Sequence, residues 1–489
     1  MLADVSTMRG GTQTEDFLEQ QMPELPFLHK ELDEITKKRA MNALLPVEKL
    51  PPELLSQIFR FALVNVRSRI WSAGALGVSH RWRECALQDA FLWCSIRITS
   101  RTTINKLERW LKLSRAAILD VDVRCAIDIN NNDALIYMLY RHEERIRLLH
   151  LCFDEILAPF IPFAFNYTTL EDLSLSWTAP DHGIAMYPTP PLFSSHAPPN
   201  LRKLALSIDG KLAYEEMDVA TNHFSPELFE SLQFSNAVST PDICALLPTC
   251  HNIRELTWEH WEDPYLPARL APYQGIHLDF PLLSNLRING LITYFLLERI
   301  RAPKLTHLSI GETEEEPDTL SVGVPELIGR FGSLRSLHLM DFYHPMTADD
   351  IKALFSSLPM LERLLYDQWT VENAHALEAL SEPSRESSSP LQAPKIASCL
   401  STLGIWGGGV FGLKKYWAFT NIVADALYRL ATRNPVPGRK TPLKVFMQRN
   451  HDTAIEFSGH KLSDIGVHLV TYPEWCKLYE PACNTKKDA

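Results

Sequence analysis

At 489 residues the chain exceeds what one compact core fills, so several domains or one elongated array are expected. Hydrophobic residues at 46% and charged residues at 22% match a folded protein and exclude general disorder. A formal net charge of -11 lacks the basic field of a general nucleic-acid binder, and no nucleic-acid partner is expected.

Residues 1–43 read as a flexible tail, with a short leader helix within Glu31 to Leu45. Met1 to Phe17 hold no apolar core of the kind a secretory leader needs. The segment that follows, residues 44–98, is the most informative. Its paired prolines, Pro51 and Pro52, suit the first turn of a helix, where a missing N–H costs nothing. Glu53 then stands at the positive end of the helix dipole. Leu54, Leu55, Ile58, Phe59, Ala62 and Leu63 recur at helical spacing and predict one apolar stripe. A second helix is expected over Ala73 to Leu87, with Leu76, Ser79, Trp82, Arg83 and Ala86 on one face, closed by Phe91-Leu92-Trp93.

This block resembles the F-box. The family opens on Leu-Pro-x-Glu-Leu-Leu, continues with an Ile-Phe pair and Val-x-x-x-Trp, and closes on Leu-Trp. The matching residues are Leu50, Pro51, Glu53, Leu54 and Leu55, then Ile58 and Phe59, then Val78 and Trp82, then Leu92 and Trp93. Asn65 to Ile70 departs from the family's leucine pattern, and Ser79 stands where many fungal relatives carry cysteine. The resemblance implies a helical module that docks on a Skp-type adaptor and, through it, on a cullin. The residues it implies for that contact are Leu50, Pro51, Pro52, Leu54, Leu55, Ile58, Phe59, Val78 and Trp82.

Residues 99–480 repeat a Leu-x-x-Leu-x-Leu phrase. The clearest copies begin at Leu170, Leu201, Leu305, Leu334 and Leu400, with weaker ones at Ile146, Phe229, Ile253, Leu283 and Leu361. They recur mostly every ~22 to 31 residues, near the period of leucine-rich repeats. Alternation points the leucines of each short strand inward. Helical stretches lie between copies, at Pro241 to Leu247, Ala348 to Leu358 and Asn421 to Ala431. The expected fold class is α/β: a small helical module, then an irregular leucine-rich repeat solenoid with parallel strands on its concave face. Asp154, Thr178, Asp209, Trp261 and Thr313 stand where regular repeats carry Asn or Cys, so no regular asparagine ladder is expected after the strands. Long insertions interrupt the phrase at Thr178 to Asn200, Glu312 to Asp318 and Ser381 to Pro394. Lys461 to Ala489 invites a capping role, with residues 481–489 as a tail.

The outward positions of the strands are the candidate substrate face: Ser174, Ala205, Gln233, Thr257, Arg287, Ser309 and His338. They are small or mixed in charge, so the substrate protein stays unnamed.

Little else carries chemistry. Gly407 to Lys415 mimics a phosphate loop but places Leu413 where lysine is needed and Lys414 where Ser or Thr is needed. Glu259 to Asp263 lacks catalytic partners and reads as a loop or rim. No zinc-spaced Cys/His group, H-E-x-x-H or G-x-S-x-G occurs. No catalytic residue, metal or cofactor is expected. The nine scattered cysteines fit reduced thiols, and the longest apolar runs are too short to span a bilayer, so a cytoplasmic or nuclear protein is expected. Two other readings stay open: a repeat scaffold with no ligase role, and, more remotely, an enzyme whose site is assembled from distant residues.

Overall fold

The computed structural model describes residues 36–38, 40–41, 45–64, 78–125, 137–153, 167–178, 198–209, 225–235, 240–260, 271–273, 275–290, 292–311, 324–340, 348–367, 400–406, 444–448 and 467–470. The chain divides into two compact units, Met1–Ile96 with Thr102–Val121, and Arg97–Arg101 with Asp122–Ala489.

In the first unit, helix α1 (Pro52–Val64) opens on the second proline. The Pro51 carbonyl accepts from the N–H groups of Leu54 and Leu55, both at 3.1 Å, and so starts the helical ladder. Helix α2 (His80–Gln88) is capped by Ser79, whose Oγ accepts from Trp82 N–H at 3.2 Å. This gives the hydroxyl at position 79 a structural reason. Asp89 ends α2 and starts the 3-10 turn Ala90–Trp93 by accepting from Phe91 N–H. Its carboxylate also takes two hydrogen bonds from Arg60 of α1, at 2.8 and 2.9 Å. The core of the unit is Leu55, Phe59, Cys85, Ala86, Leu92 and Trp93, flanked by Val47, Leu50, Trp82, Leu87, Trp110 and Leu113. Phe59 and Trp82 meet at 5.1 Å between ring centres, and Trp93 Nε1 donates to the Ala86 carbonyl at 2.7 Å.

Strand β1 (Ser95–Thr99) follows, then helix α3 (Ile104–Leu113) and strand β2 (Leu119–Cys125). Trp110 and Leu113 of α3 pack on the same core, so the first unit reaches past residue 98.

The second unit is built on a large, open, parallel sheet. Twelve of its strands run in sequence order: β3 (Ile146–Phe153), β4 (Asp172–Thr178), β5 (Lys203–Asp209), β6 (Ser231–Ser235), β7 (Glu255–His260), β9 (Asn285–Gly290), β11 (His307–Gly311), β12 (Ser336–Met340), β13 (Arg363–Asp367), β14 (Thr402–Trp406), β15 (Lys444–Gln448) and β16 (Val467–Val470). Every one of the ten Leu-x-x-Leu-x-Leu copies ends in one of them. Registers are in phase, so the leucines stack in two ladders. One runs Leu149, Leu173, Leu204, Leu232, Leu256, Leu286, Leu308, Leu337, Leu364, Leu403. The other runs Leu151, Leu175, Leu206, Phe234, Trp258, Ile288, Ile310, Leu339, Tyr366. All nineteen are buried. No single strand could hide these residues; stacking makes them one core.

β15 and β16 were not among the predicted copies. Their register places Val445 opposite Val467 and Met447 opposite Leu469, so the parallel pairing continues without the leading Leu-x-x-Leu.

Between strands the chain forms α4 (Thr240–Leu246), α5 (Thr293–Arg299), α6 (Val324–Gly329) and α7 (Ala348–Ser357), which bury Cys244, Leu296, Ile328 and Phe355 among others. The predicted helix over Asn421 to Ala431 and the three long insertions lie largely or wholly outside the described residues. Two strands, β8 (Leu278–Asp279) and β10 (Ile300–Arg301), form a separate parallel pair. Burial pushes the Cys244 and Cys250 thiols up to about 12, so both stay protonated packing residues.

A polar ladder does exist, but before the strands. Thr169, Asn200, Asn252 and Ser333 each precede the first apolar residue of a phrase, and each donates to a carbonyl of the preceding repeat at 2.6 to 3.0 Å. The backbone repeats the connection: Glu171 N–H reaches Arg147 O, Arg202 reaches Glu171, Glu230 reaches Arg202, and Arg254 reaches Glu230, all at 2.8 Å. These bonds satisfy turn carbonyls that a strand edge would otherwise leave open.

Candidate docking surfaces

Helix α1 carries more apolar side chains than its core can take. Leu55 and Phe59 are buried, at 0% and 3% exposure, while Leu54, Ile58 and Phe61 are exposed at 44%, 47% and 76%. The second set is spaced i, i+4, i+7 and therefore forms a separate stripe on the solvent side. The single predicted stripe is thus two. The side chains of Ala62 and Leu63 lie outside the described residues.

This divides the nine predicted contact residues. Leu54 and Ile58 are on the open stripe, and Val78, just before α2, is also exposed. Pro51 and Pro52 are exposed at the helix start. Leu50 is half-buried against the core, and its carbonyl accepts from Arg81. Leu55 and Phe59 are buried in the core of the unit, where their packing holds α1 in place. Trp82 is half-buried on Phe59, with its Nε1 buried and unpartnered. Phe61 was not among the predicted contacts, although its place seven residues after Leu54 is the signal that identifies it. Phe91 is exposed as well and carries the Arg60 guanidinium at 4.4 Å over its ring. Hydrogen bonding to Asp89 raises the Arg60 pKa above its ordinary value, which keeps this strut charged.

The seven predicted substrate-face residues form one row across the sheet. Ser174 pairs with Ala205, Ala205 with Gln233, Gln233 with Thr257, Thr257 with Arg287, Arg287 with Ser309 and Ser309 with His338. The row also takes in His150 before Ser174, and Leu365, Gly404, Phe446 and His468 after His338. Its exposure is uneven. Ser174, His338 and Leu365 are buried; Ala205, Gln233, Thr257 and Ser309 are half-buried; Arg287 is exposed. The accessible part of the predicted face is therefore Ala205 to Ser309.

Much of its polarity is engaged within the protein. Arg287 Nε meets Glu259 Oε1 at 2.8 Å, and Ser235 Oγ donates to the other carboxylate oxygen at 3.3 Å. Ser309 Oγ and His338 Nδ1 share a hydrogen bond of 3.0 Å. Desolvation, with help from Arg363, holds the neighbouring His307 below its ordinary pKa and therefore neutral. Such a surface offers hydrogen bonds and paired charges in a row. Among the described residues, no group of three His, Cys, Asp or Glu side chains is placed to hold a metal ion. No helix among them is long and apolar enough to cross a membrane.

No protein-family model matches the chain, and no curated protein matches it in sequence.

Proposed function

We propose that this protein is the substrate-recruiting subunit of a Skp–cullin–F-box type ubiquitin ligase. Its first unit acts as the F-box and docks on the Skp-type adaptor. Its second unit acts as a leucine-rich repeat solenoid that holds a substrate protein along the Ala205 to Ser309 row. The observation that carries the reading is the exposed stripe Leu54, Ile58, Phe61 on a helix whose opposite side is anchored by Leu55 and Phe59. An apolar stripe left open beside a complete core costs solubility and is the usual mark of a protein-binding helix. The Leu-Pro-x-Glu-Leu-Leu, Ile-Phe, Val-x-x-x-Trp and Leu-Trp order of residues 50–93 supports the choice of partner. In this reading the protein adds no chemistry of its own and works in the cytoplasm or nucleus.

Co-purification of the full chain with the Skp-type adaptor tests it. Wild type binds, and Leu54→Ala combined with Ile58→Ala loses at least about tenfold in affinity, as central apolar anchors do. The thermal midpoint of that variant stays close to wild type, because both side chains are already half in water. By contrast, Leu55→Ala lowers stability by about 2 to 5 kcal/mol through a core cavity. A well-folded wild-type chain that ignores the adaptor would remove the ligase role and leave a repeat scaffold.

A further inference from the structure

We infer that the solvent side of α3 binds an acidic polypeptide segment of a partner protein, a role separate from the docking of α1. The whole chain is acidic at -11, yet Ile104 to Arg115 hold four Lys and Arg against one acid, Glu108. Lys106, Arg109 and Lys112 follow one another at i, i+3, so neighbouring cations stand about 5 to 6 Å apart on the helix surface. Arg115 continues the spacing just past the cap residue Ser114, and its N–H donates to the Lys112 carbonyl at 3.2 Å. All four are exposed, while Leu107 and Leu111 on the other side of the helix are buried. Glu108 is paired with Lys112 at 2.8 Å. Among the described residues, Arg109 and Arg115 have no acidic partner.

Helix stability does not account for this row. The helix dipole has its positive end at the first turn, where Lys106 stands and no acid does. Arg115 has φ 49°, in the left-handed region that glycine enters freely after a helix. Both ends of the row thus carry a cation where local stability favours another residue, a departure that marks a surface built for a ligand. Cations at this spacing match an acidic segment, whose carboxylates recur at similar separations along a helix, or about 7 Å apart along a strand. A nucleic acid fits less well: Trp110 is half-buried and lies under Lys106, 4.9 Å from its ring centre, which leaves it no open face for base stacking. An anionic membrane also fits less well, since Ile104 is the one exposed apolar side chain of α3.

The test is fluorescence anisotropy of a labelled peptide of about ten glutamates, titrated with the full-length protein at about 50 mM salt, where surface charges are weakly screened. Wild type is expected to bind, and Arg109→Glu with Arg115→Gly to weaken binding about tenfold. Glycine suits the backbone at position 115, so the thermal midpoint of that variant stays near wild type and its lost affinity is not lost folding. Lys106→Glu, which suits the first turn of the helix, is a second variant expected to bind about threefold less tightly. A folded wild type that leaves the peptide free overturns the inference, as do variants that bind it as wild type does. Tighter capture of a uridine oligonucleotide or of phosphatidylserine vesicles, lost in the same variants, assigns the row to nucleic acid or membrane and also overturns it.

Discussion

At Gly311 of β11 the sheet admits no side chain. A Cβ there would lie 2.7 Å from Asn289 Cγ, closer still to Asn289 Oδ1, and 3.2 Å from the Met340 carbonyl oxygen. Asn289 is the register partner of Gly311 and is itself buried, with no hydrogen-bond partner for Oδ1. Gly311→Ala is therefore expected to lower stability by about 1 to 3 kcal/mol through overpacking. Because Asn289 supplies the clash and its Oδ1 makes no bond, the double variant with Asn289→Ala should cost less than the sum of the singles. Urea unfolding of the three variants measures both. Neither residue stood out in the sequence. A lone Gly after Leu-Ser-Ile reads as a strand end, and only the register shows what faces it.

At the scale of elements, the strands were the most legible part. A Leu-x-Leu alternation ties burial to a period of two, and all ten marked phrases end in strands. Helix α1 was legible as a helix but not in its division of labour. Its apolar positions cover a wide arc, and the core of the first unit accepts only part of it, so the buried and open stripes separate only after folding. The turn before each strand hid its polar ladder for another reason: Thr169, Asn200, Asn252 and Ser333 differ in type and share only their position. Ser333 is the strongest test, since its Oγ lies 2.9 Å from the carbonyls of both Pro303 and Leu305. Ser333→Ala is expected to cost about 1 kcal/mol in urea unfolding and to speed hydrogen exchange in β12.

At the scale of the whole molecule, protonation opposes the fold on the acid side. Burial, followed by nearby arginines, holds both His142 and His307 below the ordinary value of 6.5. The unfolded chain therefore takes up more protons than the native one once the pH falls to that value. The contribution of these groups to stability is fully present above about 6.5 and declines as pH drops from there toward their native values. Urea midpoints between about pH 8 and pH 5.5 should show this decline, and His307→Gln should reduce its slope.

The sequence by itself determined the repeat: which residues alternate, where ten of the strands lie, and that a helical segment with a Leu-Pro-Pro-Glu-Leu-Leu opening precedes the array. These features are local, written by spacing and by the turn chemistry of proline. It also placed the seven outward residues in equivalent positions of their phrases, and the in-phase registers turn that equivalence into a row. Only the tertiary structure decided exposure. Leu54 and Leu55 are adjacent and chemically identical, yet one meets solvent and the other the core. Ser174 and Arg287 occupy the same row, yet one is buried and the other open. Burial depends on neighbours brought from elsewhere in the chain, and residue spacing carries no record of them.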